Sequence, residues 1–381
     1  MSISLLNCLQ LDLTVRVGDL HVGRNQNSLE MFNVTKEFYE KILIPLVKDL
    51  SLSNPNRNIS IIFLGDQFDK KQTIDVTIFC YFLSLNLELA KINNVQLFFL
   101  VGNHDTPFTD KIEINANFSF SLIKNSYIID KPFYVNDING RKNLLIPYIH
   151  DKNQFNSFVS QAKEDGCYNL YGHNDIYGFS KEGLPVEKEN NLSVNDFQTF
   201  NEVIMGHIHT RQIIKNVKYI GSPYQTRWQE QGNSNYVEVY DYLTNELKVI
   251  ENKVSPKYLV ENYVNLINKE VSEAKEILSN KFVRLLVPGS LKPFNTNFIS
   301  SNIDSYKSIR FDPIGTIYND DFEESQNNEF LSINDYYNKF INELSAVILE
   351  KQEVVLNDVV KDFLVKKFDD LYREFNKEIT D

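Results

Sequence analysis

Cysteine is scarce. The chain has three, Cys8, Cys80 and Cys167, with no paired spacing between them. That argues against a disulfide framework and a cysteine metal site, and points to a reduced compartment. No apolar run approaches the ~20 residues that a membrane span needs. The opening stretch MSISLLNCLQLDLTV has neither the basic start nor the small-residue cleavage site of a secretory signal, and reads as a first strand with a short extension. A cytoplasmic protein with no membrane attachment is the expectation. Positive charge is also in deficit: 39 Lys and Arg stand against 51 Asp and Glu, a net charge of -12. This argues against a protein that coats nucleic acid by general charge. It leaves room for an enzyme that borrows positive charge from bound cations or a partner.

A chain of 381 residues suggests two or three units. One pattern recurs along residues 13–251. A short β-branched or aromatic run ends in Gly followed or accompanied by His, Asp or Asn: LTVRVGDLHVG, ISIIFLGDQFD, LFFLVGNHD, CYNLYGHND, NEVIMGHIHT and VKYIGSPYQ. Apolar runs of this length read as buried strands. Between the early ones lie two stretches of helical period. Met31, Val34, Phe38, Ile42 and Leu46 mark one face of residues 28–50, with Pro45 predicting a kink. Ile74, Ile78, Phe82, Leu85 and Leu89 do the same over 73–92. Strand–helix alternation predicts a layered α/β domain whose strand-end residues share one rim, where such folds build their sites.

Beyond residue 255 the pattern changes. Residues 258–278 read as helix, and KFVRLLVPG and YKSIRFDPI as strands, which makes a small α+β unit over 256–317. Residues 318–330 are acidic and aperiodic, a linker. Two helices are expected after it, over 333–349 and 355–375.

Five of the six histidines, His21, His104, His173, His207 and His209, sit at these strand ends beside Gly, Asp or Asn; His150 does not. A single such histidine is usually a hydrogen-bonded rim residue. Five on one rim, with carboxylates and an amide, suit a first-row cation such as Mn, Fe or Zn. Asp19 and His21, two apart, and His207 and His209, two apart, can each face one side of an extended segment. Asp66 and Asp69, three apart, fit a tight turn with Asp69 in a supporting place.

In that order, GDLHVG, GDQFD, GNHD, YGHND and GHIHT resemble the motifs of calcineurin-like metallophosphoesterases, over roughly residues 13 to 227. Within that superfamily LLIPYIHDKNQF and YIGSPYQTRWQEQG resemble the SbcD or meiotic-recombination-eleven nucleases, especially phage recombination endonuclease subunits. The fold this implies is α/β: a layered β-sandwich flanked by helices over 1–255, a small DNA-capping α+β domain, and a C-terminal helical pair over 331–381 that binds an ATPase. Leu20 departs from the pattern, standing where an aromatic residue is common.

The resemblance implies two divalent cations, manganese first and magnesium next. One would be held by Asp19, His21, Asp66 and His209, the other by Asp66, Asn103, His173 and His207, with Asp66 bridging. It implies that an activated water attacks phosphorus in line. His104 would then stabilise charge or protonate the leaving oxygen, with Asp105 holding its imidazole; the alternative for His104 is a further metal ligand. The activity implied is exonuclease and endonuclease action on DNA. The implied partners are an SbcC-type coiled-coil ATPase and a second copy of the chain, as a homodimer within a heterotetramer, in the host cytoplasm if phage-encoded. The competing functions are a phosphatase or phosphodiesterase on other substrates, and a scaffold for DNA ends without chemistry.

Overall fold

The computed structural model describes residues 3–108, 111–181, 183–189, 191–287 and 306–313. The expected linker over 318–330 and the two C-terminal helices lie outside the described residues.

Two sheets pack face to face. The first has six strands in the order Glu246–Glu251, Tyr236–Asp241, Leu13–Val17, Ile59–Phe63, Val95–Leu100, Ser126–Ile129. Its last four strands are parallel. The second has seven, in the order Ser4–Leu11, Phe133–Asp137, Lys142–Leu145, Asn169–Gly172, Glu202–Met205, Val217–Tyr219, Gln212–Ile214. Strict alternation along the strands sorts their side chains between two cores. Ile62, Leu64, Phe98 and Leu100 face the second sheet, where they meet Val135, Leu145, Tyr171 and Ile204. Ile61, Phe63, Leu97 and Phe99 face outward and pack under Phe38, Tyr39, Val47, Phe82 and Leu89 of the helices. On the far side of the second sheet, Leu144, Leu170 and Val203 pack against Phe155, Phe158 and Val159 of the helix Lys152–Glu164. The runs read as continuous apolar stretches because both faces of each strand are covered.

Between residues 28 and 50 the helical expectation holds with a modification. Helix Leu29–Phe38 passes through a wide π-turn, Tyr39–Leu43, into Ile44–Ser53. Pro45 explains the widening: it has no N–H for the carbonyl four residues back, and its ring crowds that carbonyl. The second helix runs Val76–Ala90, started by Asp75, whose carboxylate accepts from the N–H groups of Thr77 and Ile78.

Two expectations are corrected. The N-terminal stretch is two strands in different sheets, not one. Asp12 makes the break: its carboxylate accepts from Gln10 Nε2 at 2.7 Å and Asn58 N at 2.8 Å, so the chain is pinned where it changes sheets. Residues 258–278 are not one helix. Lys257–Asn262 is a strand paired in parallel with Lys281–Val287, which in turn pairs with Ser308–Pro313. Helices Tyr263–Ile267 and Val271–Leu278 make the crossover. The Tyr258 ring contacts Trp228 and Phe282 in tilted pairs, at ring distances of 4.6 and 5.2 Å. Pairing and that aromatic contact outweigh local helical preference.

A charged network crosses the inter-sheet core. Arg16 and Glu238, opposite each other in one sheet, are both fully buried. Glu238 meets Arg16 Nη1 at 3.3 Å, Lys218 Nζ at 2.8 Å and Arg211 Nη1 at 2.6 Å. Glu202 from the other sheet completes it, 3.0 Å from Arg16 and 2.8 Å from Lys218. Burial works against the charge on Glu238, yet Lys218, Arg16 and Arg211 outweigh it and hold the carboxyl at about 2 instead of 4.5. The folded-state value is depressed, so the stabilisation is present above pH 4.5 and is lost as pH falls toward 2. Glu238→Gln is expected to lose about 3 kcal/mol at neutral pH. The difference in urea midpoint between wild type and variant should shrink between pH 4.5 and 2.5, and a difference that does not change over that span counts against the assignment.

Candidate metal centre

The ligand-type residues follow the C-terminal ends of parallel strands from both sheets. Asp19 and His21 follow Leu13–Val17, Asp66 follows Ile59–Phe63, and Asn103 and His104 follow Val95–Leu100. From the second sheet, His173 follows Asn169–Gly172, and His207 and His209 follow Glu202–Met205. Their side chains converge on one rim.

The segments that carry them are tight turns rather than the extended strand ends expected. His21, Asp66 and His207 have φ of +48°, +50° and +85°, a region that costs energy for residues with a Cβ. Neighbouring bonds hold them there. Leu20 N and His21 N both donate to Asp66 O, at 3.1 and 3.0 Å, and His207 N donates to the Asp19 carboxylate at 2.8 Å. The glycines before the acids and amides now have a reason. A Cβ on Gly102 would collide with Asp66 Oδ1 and N, and one on Gly65, itself at φ +104°, with the His173 ring.

Two clusters share one oxygen. His21 Nε2 and His209 Nε2 lie 2.8 Å apart, with Asp19 Oδ2 3.8 Å from the latter and Asp66 Oδ2 3.8 Å from the former. On the other side of Asp66 Oδ2, His173 Nε2 is 3.3 Å away. Around His173 Nε2 gather Asn103 Oδ1 at 3.2 Å and His207 Nδ1 at 3.3 Å. The structure thus brings together Asp19, His21, Asp66, Asn103, His173, His207 and His209. His104 joins them, one of its nitrogens lying within 4.8 Å of ligand atoms of His21 and Asp66.

The outward nitrogen of each imidazole meets an oxygen. His173 Nδ1 donates to Leu64 O at 2.6 Å, and His209 Nδ1 to Glu230 Oε1 at 2.7 Å. His207 Nε2 lies 3.3 Å from Asp175 Oδ1, and His21 Nδ1 3.4 Å from Asp69 Oδ1. Contacts of this kind fix the outward nitrogen as the one bearing hydrogen in the neutral ring, which is how proteins present histidine to a metal. Burial, followed by the neighbouring His209, pushes His21 down to about 3, and burial also lowers His207, so both rings stand in the neutral, ligating form. His173 goes the other way. Burial opposes its charge, but Asp66 and Asp19 raise it to about 9, so the paired carboxylates call for positive charge between them. Mixed imidazole, carboxylate and amide donors converging on a shared carboxylate oxygen fit a pair of divalent cations.

Sequence reasoning placed no role on Glu230 or Asp175. Both sit inside quoted motifs, TRWQEQG and YGHND, but nothing local says that they reach His209 and His207. Glu230 is buried and is itself held by Thr226 N at 2.7 Å and Thr226 Oγ1 at 2.8 Å. Glu230→Gln is expected to weaken metal binding about 10- to 100-fold; calorimetric titration of the metal-stripped protein measures it, and an unchanged affinity overturns the role.

The role expected for Asp105 is corrected. Its carboxylate does not hold the His104 imidazole. It is fully buried and accepts from Phe68 N at 3.0 Å, Gly102 N at 2.9 Å and Asn117 Nδ2 at 3.0 Å. It braces the turn bearing Asn103 and His104 against the turn bearing Asp66. The His104 ring is oriented instead by the backbone: Nδ1 is 2.5 Å from Asp69 O, a carbonyl that only accepts. Nδ1 therefore carries hydrogen, and Nε2 is the atom that His104 can present. Asp69 serves twice, since its carboxylate also binds Arg24 Nη1 at 2.7 Å.

Among the described residues no helix is long and apolar enough to cross a membrane. Exonuclease subunit 1 of Enterobacteria phage T4 is 25% identical over 244 residues, which cover 63% of this chain and 68% of that protein. Among solved structures, a novel archaeal phosphodiesterase aligns over 63% of this chain and 99% of its own, at 12% identity and a TM-score of 0.29. A 5'-nucleotidase precursor from Thermus thermophilus aligns over 63% and 54%, at 12% identity and a TM-score of 0.30. Residues 15–237, which carry every ligand-type residue of the rim, match the calcineurin-like phosphoesterases. The chain belongs to that family, and it is a metal-binding hydrolase of phosphate esters or diesters.

Proposed function

We propose that the chain is the nuclease subunit of an SbcCD-like recombination and repair complex, cleaving DNA phosphodiester bonds with two divalent cations, manganese first. The observation that carries this reading is the 244-residue likeness to a phage exonuclease subunit. Asp19, His21, Asp66 and His209 would hold one cation, and Asp66, Asn103, His173 and His207 the other. When bound, such a pair acts as a double Lewis acid that activates water and offsets charge on the phosphate. His104, fixed through Nδ1, presents Nε2 to the substrate. It steadies developing charge there and, as imidazolium, protonates the leaving oxygen. Asp105 acts at one remove by holding the His104 turn in place. The small unit over 256–317 would cap the DNA. Residues 331–381 would anchor an ATPase partner, with the chain paired to a second copy.

The test is cleavage by the purified chain with manganese, offered linear duplex DNA, single-stranded DNA and a generic aryl phosphate. DNA cleavage with end or strand preference supports the reading. Aryl phosphate hydrolysis with no DNA cleavage would favour a phosphatase, and no hydrolysis of either a scaffold. Co-purification of the ATPase with the full chain, and not with a chain ending before residue 331, tests the partner.

A further inference from the structure

A cavity of about 170 Å³ opens beside the metal centre. His207 and His209 line it, as do two cations from separate segments, Lys181 and Arg227. It has room for several water-sized groups. We propose that this cavity binds the phosphate adjacent to the one under attack in a nucleic-acid strand, through Lys181 and Arg227. The proposal rests on the phosphodiesterase reading of the site and adds to it a recognition of chains carrying more than one phosphate.

Lys181 is placed by the fold. It lies in a short hairpin, Ser180–Lys181 paired with Leu184–Pro185. The side-chain amide of Gln212 pins that hairpin in both directions, accepting from Ser180 N at 3.0 Å and donating to Ser180 O at 2.6 Å. The Lys181 ammonium lies 2.7 Å from His207 Nε2. That nitrogen is the outer one, because Nδ1 faces the ligand cluster. The same nitrogen lies 3.3 Å from Asp175 Oδ1, and the ammonium lies 4.0 Å from that oxygen. An ammonium has three donors, so these neighbours leave room for an anion in the cavity.

Arg227 faces the same space. Its Nε is 3.5 Å from Glu230 Oε1, an oxygen shared with His209 and Thr226. Lys181 and Arg227 line this space together with Glu230, and the two cations outnumber its one carboxylate, so an anion would be held there by charge-assisted bonds. The location decides which anion. One imidazole ring separates the Lys181 ammonium from the cluster of ligand atoms. With one phosphate held among those ligands, the next phosphate along a strand would enter the cavity that Lys181 lines. A chain with net charge -12 needs such local positive charge to hold a polyanion.

The test uses the full chain loaded with manganese, and compares binding of thymidine 5′-monophosphate with thymidine 3′,5′-bisphosphate by calorimetry. The bisphosphate carries two phosphates at the spacing of a strand. Wild type is expected to bind it about tenfold more tightly. Lys181→Met should erase that preference while leaving monophosphate affinity and metal content as they were, and Lys181→Arg should keep it. Absence of a preference in wild type overturns the proposal. So does a Lys181→Met protein that weakens both ligands alike, or one that keeps the preference. DNA cleavage by wild type is scored alongside. A preference without DNA cleavage leaves the subsite standing and removes the nuclease reading; cleavage without a preference does the reverse.

Discussion

Replacing Asp66 is expected to abolish hydrolysis and to strip the centre of both cations together. Its Oδ2 lies near both clusters, 3.8 Å from His21 Nε2 and 3.3 Å from His173 Nε2, while Oδ1 accepts from His104 N at 2.8 Å. Two dications ~4 Å apart repel by on the order of 15 kcal/mol even at an effective dielectric near 20, and a shared carboxylate offsets part of that. Asp66→Ala should lower hydrolysis of any phosphodiester at least ~10³-fold, because several kcal/mol of charge stabilisation goes with the cations. Asp66→Asn is the sharper variant. Asparagine tolerates the left-handed φ of +50° and keeps an oxygen for His104, so the turn survives while the bridging charge does not. Metal content of the two purified proteins is the measurement. Retention of both cations at full stoichiometry in either variant refutes the bridge.

His104→Ala should separate chemistry from metal binding. Hydrolysis is expected to drop about 10²- to 10⁴-fold, the range for losing one positioned proton donor, with both cations retained. The backbone bond from Nδ1 to Asp69 O makes the ring a fixed device with one working atom. The variant's loss should therefore be smallest on substrates whose leaving group departs without protonation, such as aryl phosphodiesters, and largest on DNA. Stoichiometric loss of a cation would instead make His104 a ligand, as its closeness to His21 and Asp66 allows.

The ligand types could be read from the chain because each is written beside a strand. Apolar runs such as ISIIF and VQLFFL are long enough to be strands and too short for helices of their own, and parallel strands put their C-terminal ends on one rim. Local order thus specified the layers and the strand-end positions of Asp19, Asp66, Asn103, His173 and His207. Which oxygen each imidazole would meet was beyond it. His21 finds His209 across 188 positions, and Glu230 and Asp175 act only because turns elsewhere deliver them. Asp105 shows the limit most sharply: adjacency suggested a bond to His104, but burial turned its carboxylate toward three inward donors, Phe68 N, Gly102 N and Asn117 Nδ2. The strand Lys257–Asn262 and the buried charges of Arg16 and Glu238 belong with it, since pairing and ion-pair partners come from other segments. Periodicity and turn chemistry act over a few residues and are visible in a linear string. Hydrogen-bond partners, left-handed turns at His21, Asp66 and His207, and the cavity beside Lys181 arise only when two sheets pack and force distant backbone segments to share one rim.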